Sequence, residues 1–569
     1  MDGWSGYFDI RRDPEALSWL REELPTANLI IGHHLKFDVH MLANEGVNVI
    51  HVPWHCTMIT DTLCYEHHLS YGLDEVAKRR CKMTKRGDMI DEWMRISGHR
   101  TRKAAMQHLA DAPYELVAPY AIQDAELLLP IFKDQLADLR EQDLGKVYAL
   151  EMQLLPVLYD MERHGVRCDV EAAHKAIPEL TKIIEADQAT LNQLVGFDMN
   201  VNSTPQVRRI FQPEQLNKHQ FKLVDGTICW KTKSGGPCID QNVLKEMVHP
   251  AAGMIRKIRK IVKLRDTFIS GHILSNIDDR GYVHTTFNST RNDSDAGTVT
   301  GRLSSTDPAL QQINGRDADT SKILRSMFLP DEGDEWLGAD FSSADFRIAA
   351  HYLNDPRMLD AYAENPNTDF HGFVSEMTGI PRSPAYAGGP SSKTLNLSMA
   401  FGAGAGKIAL QMGMPFTIEE RDGKMFLVAG EEAQKVIQAY HAKFPVFKSF
   451  SKSAADVAKN RGYIRSLMGR KLRFVNNDGH KAAGYLFQSG CAEVMKTALV
   501  RVWHSLQGTG YKLFLTVHDE VGISAPMGGL IDDEIQRIYT DYQSEEAPFI
   551  LRVPMTSTFK RGANWYETK

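Results

Sequence analysis

Long apolar runs are missing from this chain. No stretch approaches the roughly 18 consecutive apolar residues of a membrane helix, so no membrane partner is expected. Cysteine is scarce: the 7 cysteines lie singly, with no C-x-x-C pair, which argues against a structural zinc site and suits a reducing cytoplasm. The opening Met1-Asp2-Gly3-Trp4 lacks the basic-then-apolar pattern of a secretory signal. There is no internal repeat and no low-complexity tract. A net charge of -6 gives no global sign of a polyanionic partner.

What is present is a large, ordinary globular composition. A chain of 569 residues is too long for one hydrophobic core, so several domains are expected. Hydrophobic content of 43% and charged content of 24% are those of a soluble protein. Charge is uneven locally. Arg256, Lys257, Arg259, Lys260, Lys263 and Arg265 follow one another without an acid, as do Arg461, Arg465, Arg470, Lys471 and Arg473. Such runs are usually solvated faces; beside a metal-type acid pair they point to phosphate contact.

Residues 1–135 alternate short apolar runs with helical stretches, an α/β pattern. Residues from about 140 to 280 read as mostly helical, with apolar residues at helical spacing over Glu151–His164 and Val243–Phe268. Gly281–His284 reads as a hairpin turn. Strand then helix is expected over 330–355. Residues 356–460 read as helical, broken by a Pro- and Gly-rich loop at Pro381–Pro390. The last hundred residues return to mixed α/β.

The sharpest signal lies near the C-terminus. Lys512–Ile523 carries apolar residues on both sides of His518-Asp519-Glu520, so it reads as a β-hairpin with acids at its tip. A second strand-like run, Trp336–Ala339, ends in Asp340. Carboxylates at the ends of neighbouring strands suit hard cations, because Mg²⁺ takes one or two carboxylates plus substrate phosphates. Two such ions about 3.5–4 Å apart clamp the attacking and leaving oxygens of an in-line displacement at phosphorus.

Thr300–Gln311 (Thr-Gly-Arg-Leu-Ser-Ser-Thr-Asp-Pro-Ala-Leu-Gln), Ala339–Arg347 and the His518-Asp519-Glu520 turn occur in one order. Together they resemble the palm of family A DNA polymerases, the DNA polymerase I family. Met161–Val166, Asn202–Gln206 and the ending Gly562-Ala563-Asn564-Trp565 extend the resemblance from about Glu151 to the end. It implies that Asp340 and Asp519 bind two Mg²⁺ ions, which Mn²⁺ could replace, with Glu520 beside them. Arg302 and His518 would touch the primer end, Gln488 the template strand, and Arg316 the DNA. Asp345 takes the place of a usual Glu that crowds the sugar 2′ position. It is shorter by one methylene, which bears on sugar discrimination.

Lys393, Leu397 and Phe401 recur every four residues and share one helix face, with Ser391-Ser392 as an N-cap. Lys393 would neutralise a phosphate oxygen and protonate the pyrophosphate leaving group. Leu397 stands where the family has Phe or Tyr, and Phe401 where Tyr is usual. Gly389 replaces an arginine for the phosphates, and Arg382 is the nearest substitute cation. His371, in Asp369-Phe370-His371, would be a phosphate contact. Phe341 completes the set expected at the nucleotide.

The N-terminal region resembles the RNase H-like 3′–5′ proofreading domain attached to these polymerases. Ile31–Asp38 matches its second motif, with His34 for the usual Asn, and Tyr120–Asp124 its third. Asp38 and Asp124 would hold metal and Tyr120 would orient water. The first motif, Asp-x-Glu, is missing; Asp9-Ile10-Arg11 does not replace it. Either the chain begins downstream of the true start or the site has decayed, and weak or absent proofreading is expected. A histidine metal site of His33, His34, His40 and His51 is the alternative.

The fold expectation is an α/β multidomain protein: an RNase H-like exonuclease domain, then a right-hand polymerase of palm, fingers and thumb. The boundaries expected are 1–138 for the exonuclease-like domain, 139–290 for the thumb, 291–355 for the first part of the palm, 356–460 for the fingers and 461–569 for the rest of the palm. The expected activity is addition of dNTPs to a primer 3′-OH on primer–template DNA during replication. Accessory replication proteins and the cytoplasm of a bacterial or phage-infected cell are the expected surroundings. The alternatives are a catalytically inactive DNA-binding replication factor and a single-subunit RNA polymerase.

Overall fold

The computed structural model describes residues 4–85, 87–232, 234–290, 298–313, 315, 317–384, 390–421, 424–475 and 478–569. Arg316 and Gly389, both singled out above, lie outside the described residues. The chain forms two compact units. One comprises Met1–His164, Thr286–Thr306 and Leu337–Arg561; the other comprises Gly165–Thr285, Asp307–Trp336 and Gly562–Lys569.

The smaller unit is built on long helices. Val170–Val195 starts at Asp169, whose carboxylate accepts from the Ala172 N–H, and stops at Gly196, which takes the left-handed conformation at φ 75°. This helix packs against Pro250–Val262, and Leu191, Ile255 and Ile258 are fully buried in the shared core. The helical spacing over Val243–Phe268 is real but not continuous. A helix over Gln241–Glu246 ends, and a second begins at Pro250, which suits a helix's first turn because the N–H it lacks would be unpaired there anyway. A three-stranded sheet orders Phe328–Leu329, Val166–Cys168 and Tyr282–Val283. The turn expected over Gly281–His284 lies earlier, at Asp278–Gly281, where Gly281 N donates to Asp278 O, and Tyr282–Val283 belong to the returning strand.

In the larger unit the N-terminal α/β region holds a parallel pair, Ile30–Gly32 beside Trp54–Cys56, flanked by the helices Leu35–Asn44 and Tyr114–Glu141. The centre of the unit is a four-stranded sheet ordered Lys512–Val517, Glu520–Pro526, Asp334–Phe341, Ser557–Gly562. Behind it runs the long helix Ala482–Leu506, whose residues are buried on nearly every side. It packs along the helix Ala344–Leu353 that follows the acid-bearing strand.

The helical reading of 356–460 needs one correction. An antiparallel hairpin, Phe416–Arg421 with Lys424–Ala429, interrupts it. Its β-branched and aromatic residues and the intervening Asp422-Gly423 are a hairpin signal that the helical reading passed over.

Candidate active site

The hairpin expected around Asp519 is present. Lys512–Val517 and Glu520–Pro526 pair antiparallel with Val517 opposite Glu520, so His518 and Asp519 form the tip. His518 takes φ 59°, a left-handed turn that leaves both side chains exposed. The neighbouring strand carries Asp340, also exposed. Phe341 N donates to Asp519 O at 3.2 Å, which sets the two acids on adjoining strand ends. Tyr539, fully buried on the helix Asp532–Thr540, fastens the joint. Its hydroxyl donates to Asp519 O at 2.9 Å, and its ring stacks on Phe341 at 4.0 Å between centroids.

That stacking bears on Phe341. Its ring is 3% exposed and turned into the core, so a nucleotide at this position meets the main chain rather than the ring. Among the described residues no three acid, His or Cys side chains converge as a ready metal cage. Asp340 and Asp519 fit a less demanding role, since Mg²⁺ takes one or two carboxylates and completes its shell with phosphate and water. The surrounding protein and then the charge of Asp345 hold the Asp519 carboxyl above its usual range. Clustered acids of this kind are relieved by a bound cation.

Asp345 opens the helix Ala344–Leu353 and is half-buried. Its Oδ1 accepts from Arg302 Nη2 at 2.8 Å and from Cys491 Sγ at 3.1 Å. Arg302 and Asp345 are thus brought together, and both act electrostatically on Asp519. Two residues along the helix, Arg347 is 2% exposed and anchors the surrounding chain. It donates to Ser342 O, Pro366 O, Pro554 O and Thr556 Oγ1 at 2.6–2.7 Å.

The helix Ser392–Ala400 starts as expected, with Ser391 Oγ accepting from Thr394 N at 3.1 Å. Lys393 is exposed, Leu397 and Phe401 are half-buried, and Ser392, Leu395, Asn396 and Met399 face the core. His371 departs from the simple picture of a charged phosphate contact. It is 3% exposed, and Asn396 Nδ2 lies 3.0 Å from its Nδ1 while Tyr440 donates to Asn396 Oδ1 at 2.7 Å. Burial first, then the charge of Lys393, lowers its pKa to about 4. The ring is neutral at physiological pH, and with Nδ1 accepting, its proton sits on Nε2. It can offer a phosphate a hydrogen bond but no charge. Arg382 pairs with Asp369.

Gln488 is half-buried on the helix Ala482–Leu506. Gly484 lets that helix start close beneath Phe401: a Cβ there would lie 3.0 Å from Phe401 O. Cys491, Tyr539, Arg347 and Asn396 were not singled out in the sequence. Each acts through a partner distant in the chain, and none carries a local signal.

In the N-terminal region, Tyr120 and Asp124 share one face of the helix Tyr114–Glu141. Lys85 Nζ donates to Asp124 Oδ2 at 2.6 Å and to Tyr120 Oη at 3.0 Å. Asp38 is close enough that Asp124's charge, after desolvation, helps raise its pKa to about 6. Tyr120 and Asp124 therefore meet at Lys85, with Asp38 within electrostatic reach of Asp124. Among the described residues no metal-holding group includes His33, His34, His40 or His51; His33 contacts Thr57, His40 contacts Glu162 and His51 contacts Pro25 O.

Strand-tip acids, a helix bearing an exposed lysine and an appended α/β domain define a right-hand polymerase with an exonuclease-like domain. The comparisons carry this further. The DNA polymerase family A model matches residues 170–567, and a 3′–5′ exonuclease model matches residues 9–140. The chain belongs to DNA polymerase family A. It is 39% identical to DNA polymerase DpoZ of Salmonella phage PMBT28 over 100% of this chain and 92% of that protein. It is 35% identical to DNA polymerase DpoZ of Vibrio phage phiVC8, with the same coverages. DNA polymerase I of Caldicellulosiruptor bescii is 29% identical over 74% of this chain and 47% of its own length. In fold, the chain is similar to the POL domain of Pol1 from M. smegmatis in complex with DNA primer-template and dNTP. The TM-score is 0.76 and the identity 21%, covering 99% of this chain and 90% of that one.

Proposed function

We propose that this chain is a DNA-directed DNA polymerase that extends a primer 3′-OH with dNTPs on a template and releases pyrophosphate. The observation that carries this is the meeting of Asp340 and Asp519 on adjoining strand ends, fixed by Phe341 N to Asp519 O at 3.2 Å. Asp340 and Asp519 would hold two Mg²⁺ ions, replaceable by Mn²⁺, which when bound would supply Lewis-acid stabilisation of the charge that develops at phosphorus. The chain's own side chains do the rest. Lys393 neutralises the triphosphate and gives the leaving pyrophosphate a proton. His371 offers a neutral donor. Leu397 and Phe401 form the nucleotide-facing wall of their helix. Asp345 crowds the sugar 2′ position. Arg302 and His518 meet the primer end, Gln488 the template, and Arg316 the DNA. Glu520 supports the acid pair.

The domain limits that go with this reading are 1–138 for the exonuclease-like domain, 139–290 for the thumb, 291–355 and 461–569 for the palm, and 356–460 for the fingers. Primer–template DNA and dNTPs are the partners, with accessory replication proteins in the cytoplasm of a phage-infected bacterium. We infer that proofreading is weakened, because Lys85 already pairs with Asp124. The test is primer extension on a 5′-labelled primer. Asp519→Ala is expected to abolish synthesis while DNA affinity is kept. Synthesis within about tenfold of the parent, some 1.4 kcal/mol, would sink the assignment. Incubation without dNTPs reads the second point: primer shortening that Asp38→Ala removes would show an active exonuclease.

A further inference from the structure

We infer that Cys491 is a positioning residue for sugar selection: its thiol holds the Asp345 carboxylate in place when Arg302 turns to DNA. The inference rests on the assignment of Asp345 to the sugar 2′ position. Among the described residues, two side chains donate to Asp345, and both reach Oδ1: Arg302 at 2.8 Å and Cys491 at 3.1 Å. They are not equivalent. The Arg302 side chain is 40% exposed and Asp345's is 29% exposed, so this ion pair is solvent-screened and easily exchanged for another anion. Arg302 is also the group assigned to the primer end. Cys491 has no such alternative. It sits in the interior of the helix Ala482–Leu506, with one short rotor.

The approach of the two helices makes the contact. Gly490 lies against Ile348, and a Cβ at 490 would fall 2.6 Å from Ile348 Cγ2. The absent side chain lets the next residue, Cys491, reach across to Asp345. A cysteine in a packed helix, half-buried as Cys491 is, ordinarily acts as a small hydrophobe. Here desolvation, followed by the charge of Asp345, holds the thiol well above its usual pKa, so it remains an S–H donor beside the carboxylate. Among the described residues, that leaves Cys491 as the side-chain donor to Asp345 once Arg302 has moved.

The experiment is steady-state kinetics of the full chain on primer–template, with a dNTP and its rNTP, for Cys491→Ala, Cys491→Ser, Asp345→Ala and the Cys491→Ala/Asp345→Ala double variant. DNA affinity of each variant checks that it folds. Cys491→Ala is expected to lower the dNTP:rNTP ratio of kcat/KM about 3- to 10-fold, the loss of one hydrogen bond from a weak thiol donor. Cys491→Ser keeps a donor and is expected to stay within about twofold of the parent. In the Asp345→Ala background, Cys491→Ala is expected to change nothing further. Equal losses in the Ala and Ser variants, equal effects on both sugars, or an undiminished effect without Asp345 would each overturn the inference. A collapsed ratio in Asp345→Ala with an unchanged one in Cys491→Ala overturns the inference alone. An unchanged ratio in Asp345→Ala overturns the sugar-gate assignment itself.

Discussion

Glu151→Gln removes one charge from a buried four-member network, and its effect can be worked from the contacts. Glu151 is 0% exposed on the helix Gly145–His164. Its Oε1 accepts from Lys496 Nζ at 2.5 Å and from Arg470 Nη2. Lys496, also 0% exposed, donates to Ser289 O at 2.7 Å. Glu493 Oε2 accepts from Met468 N at 2.9 Å, and its Oε1 from Ser466. Two cations face two carboxylates, and the glutamine leaves one positive charge uncompensated. Breaking such a pair from one side costs about 3–5 kcal/mol. At roughly 2–4 °C per kcal/mol for domains of about 150–250 residues, and less for a larger unit, a fall in melting midpoint of at least about 5 °C is expected. The pH dependence sharpens the test. Burial lowers the Lys496 pKa to about 8, and the Glu151 charge acts against that lowering. Without it the folded-state pKa drops further below the unfolded value. Between the variant's pKa and about 8, the unfolded variant then binds the proton that its folded form has released, so the variant gains stability with rising pH while the parent does not. The gap between the two is therefore expected to narrow from pH 6.5 to 8.5, by up to about 1.4 kcal/mol per unit of pKa difference. Thermal melts at both pH values check it. A gap under about 1 kcal/mol, or one that ignores pH, would refute the reasoning.

Three further outcomes are expected. Lys393→Met should lower kcat for incorporation about 10²- to 10³-fold with DNA affinity unchanged, as measured by single-turnover extension. His371→Gln should flatten acid sensitivity. The folded pKa near 4 lies below the usual 6.5, so neutral His371 loses its contribution as pH falls between those values, at most about 3 kcal/mol. Melting midpoints of parent and variant should therefore converge on acidification. Gly490→Ala should destabilise the chain by about 1–3 kcal/mol, because its Cβ would meet Ile348 at 2.6 Å, and should lower dNTP:rNTP selectivity by pushing Cys491 from Asp345. Parental melting and selectivity in the Gly490→Ala variant would show that the helices separate freely.

The parts of the site legible in the sequence are those set by local pattern. Apolar residues on both sides of His518-Asp519-Glu520 specify strand, turn, strand, and the structure places Asp519 at the tip. Ser391 before an i, i+4, i+8 face specifies a capped helix with Lys393 outward. The hairpin over Phe416–Ala429 was also legible from its alternation, yet it sits inside a stretch dominated by helical spacing. Tertiary contacts were not legible. Cys491 and Asp345 are 146 residues apart, and Lys85 and Asp124 are 39 apart. No propensity or period links such pairs.

The two kinds of information meet at the nucleotide pocket. Read along the chain, Asp345, Leu397 and Phe401 are separate departures: a shorter acid, a lost ring and a lost hydroxyl. In the structure, the two side-chain donors to Asp345 among the described residues come from Arg302 and from the helix Ala482–Leu506. That helix is buried along most of its length, and Gly490 presses it against the helix that carries Asp345. A carboxylate held from a packed helix keeps its position whatever the helix Ser392–Ala400 does. On the proposed assignment of Asp345 to the sugar 2′ position, sugar selection then depends on the contact of residues 345 and 491. Substitutions at Leu397 and Phe401 should accordingly change nucleotide affinity more than the choice of sugar, and kinetics of Phe401→Tyr with paired dNTP and rNTP would read the two effects separately.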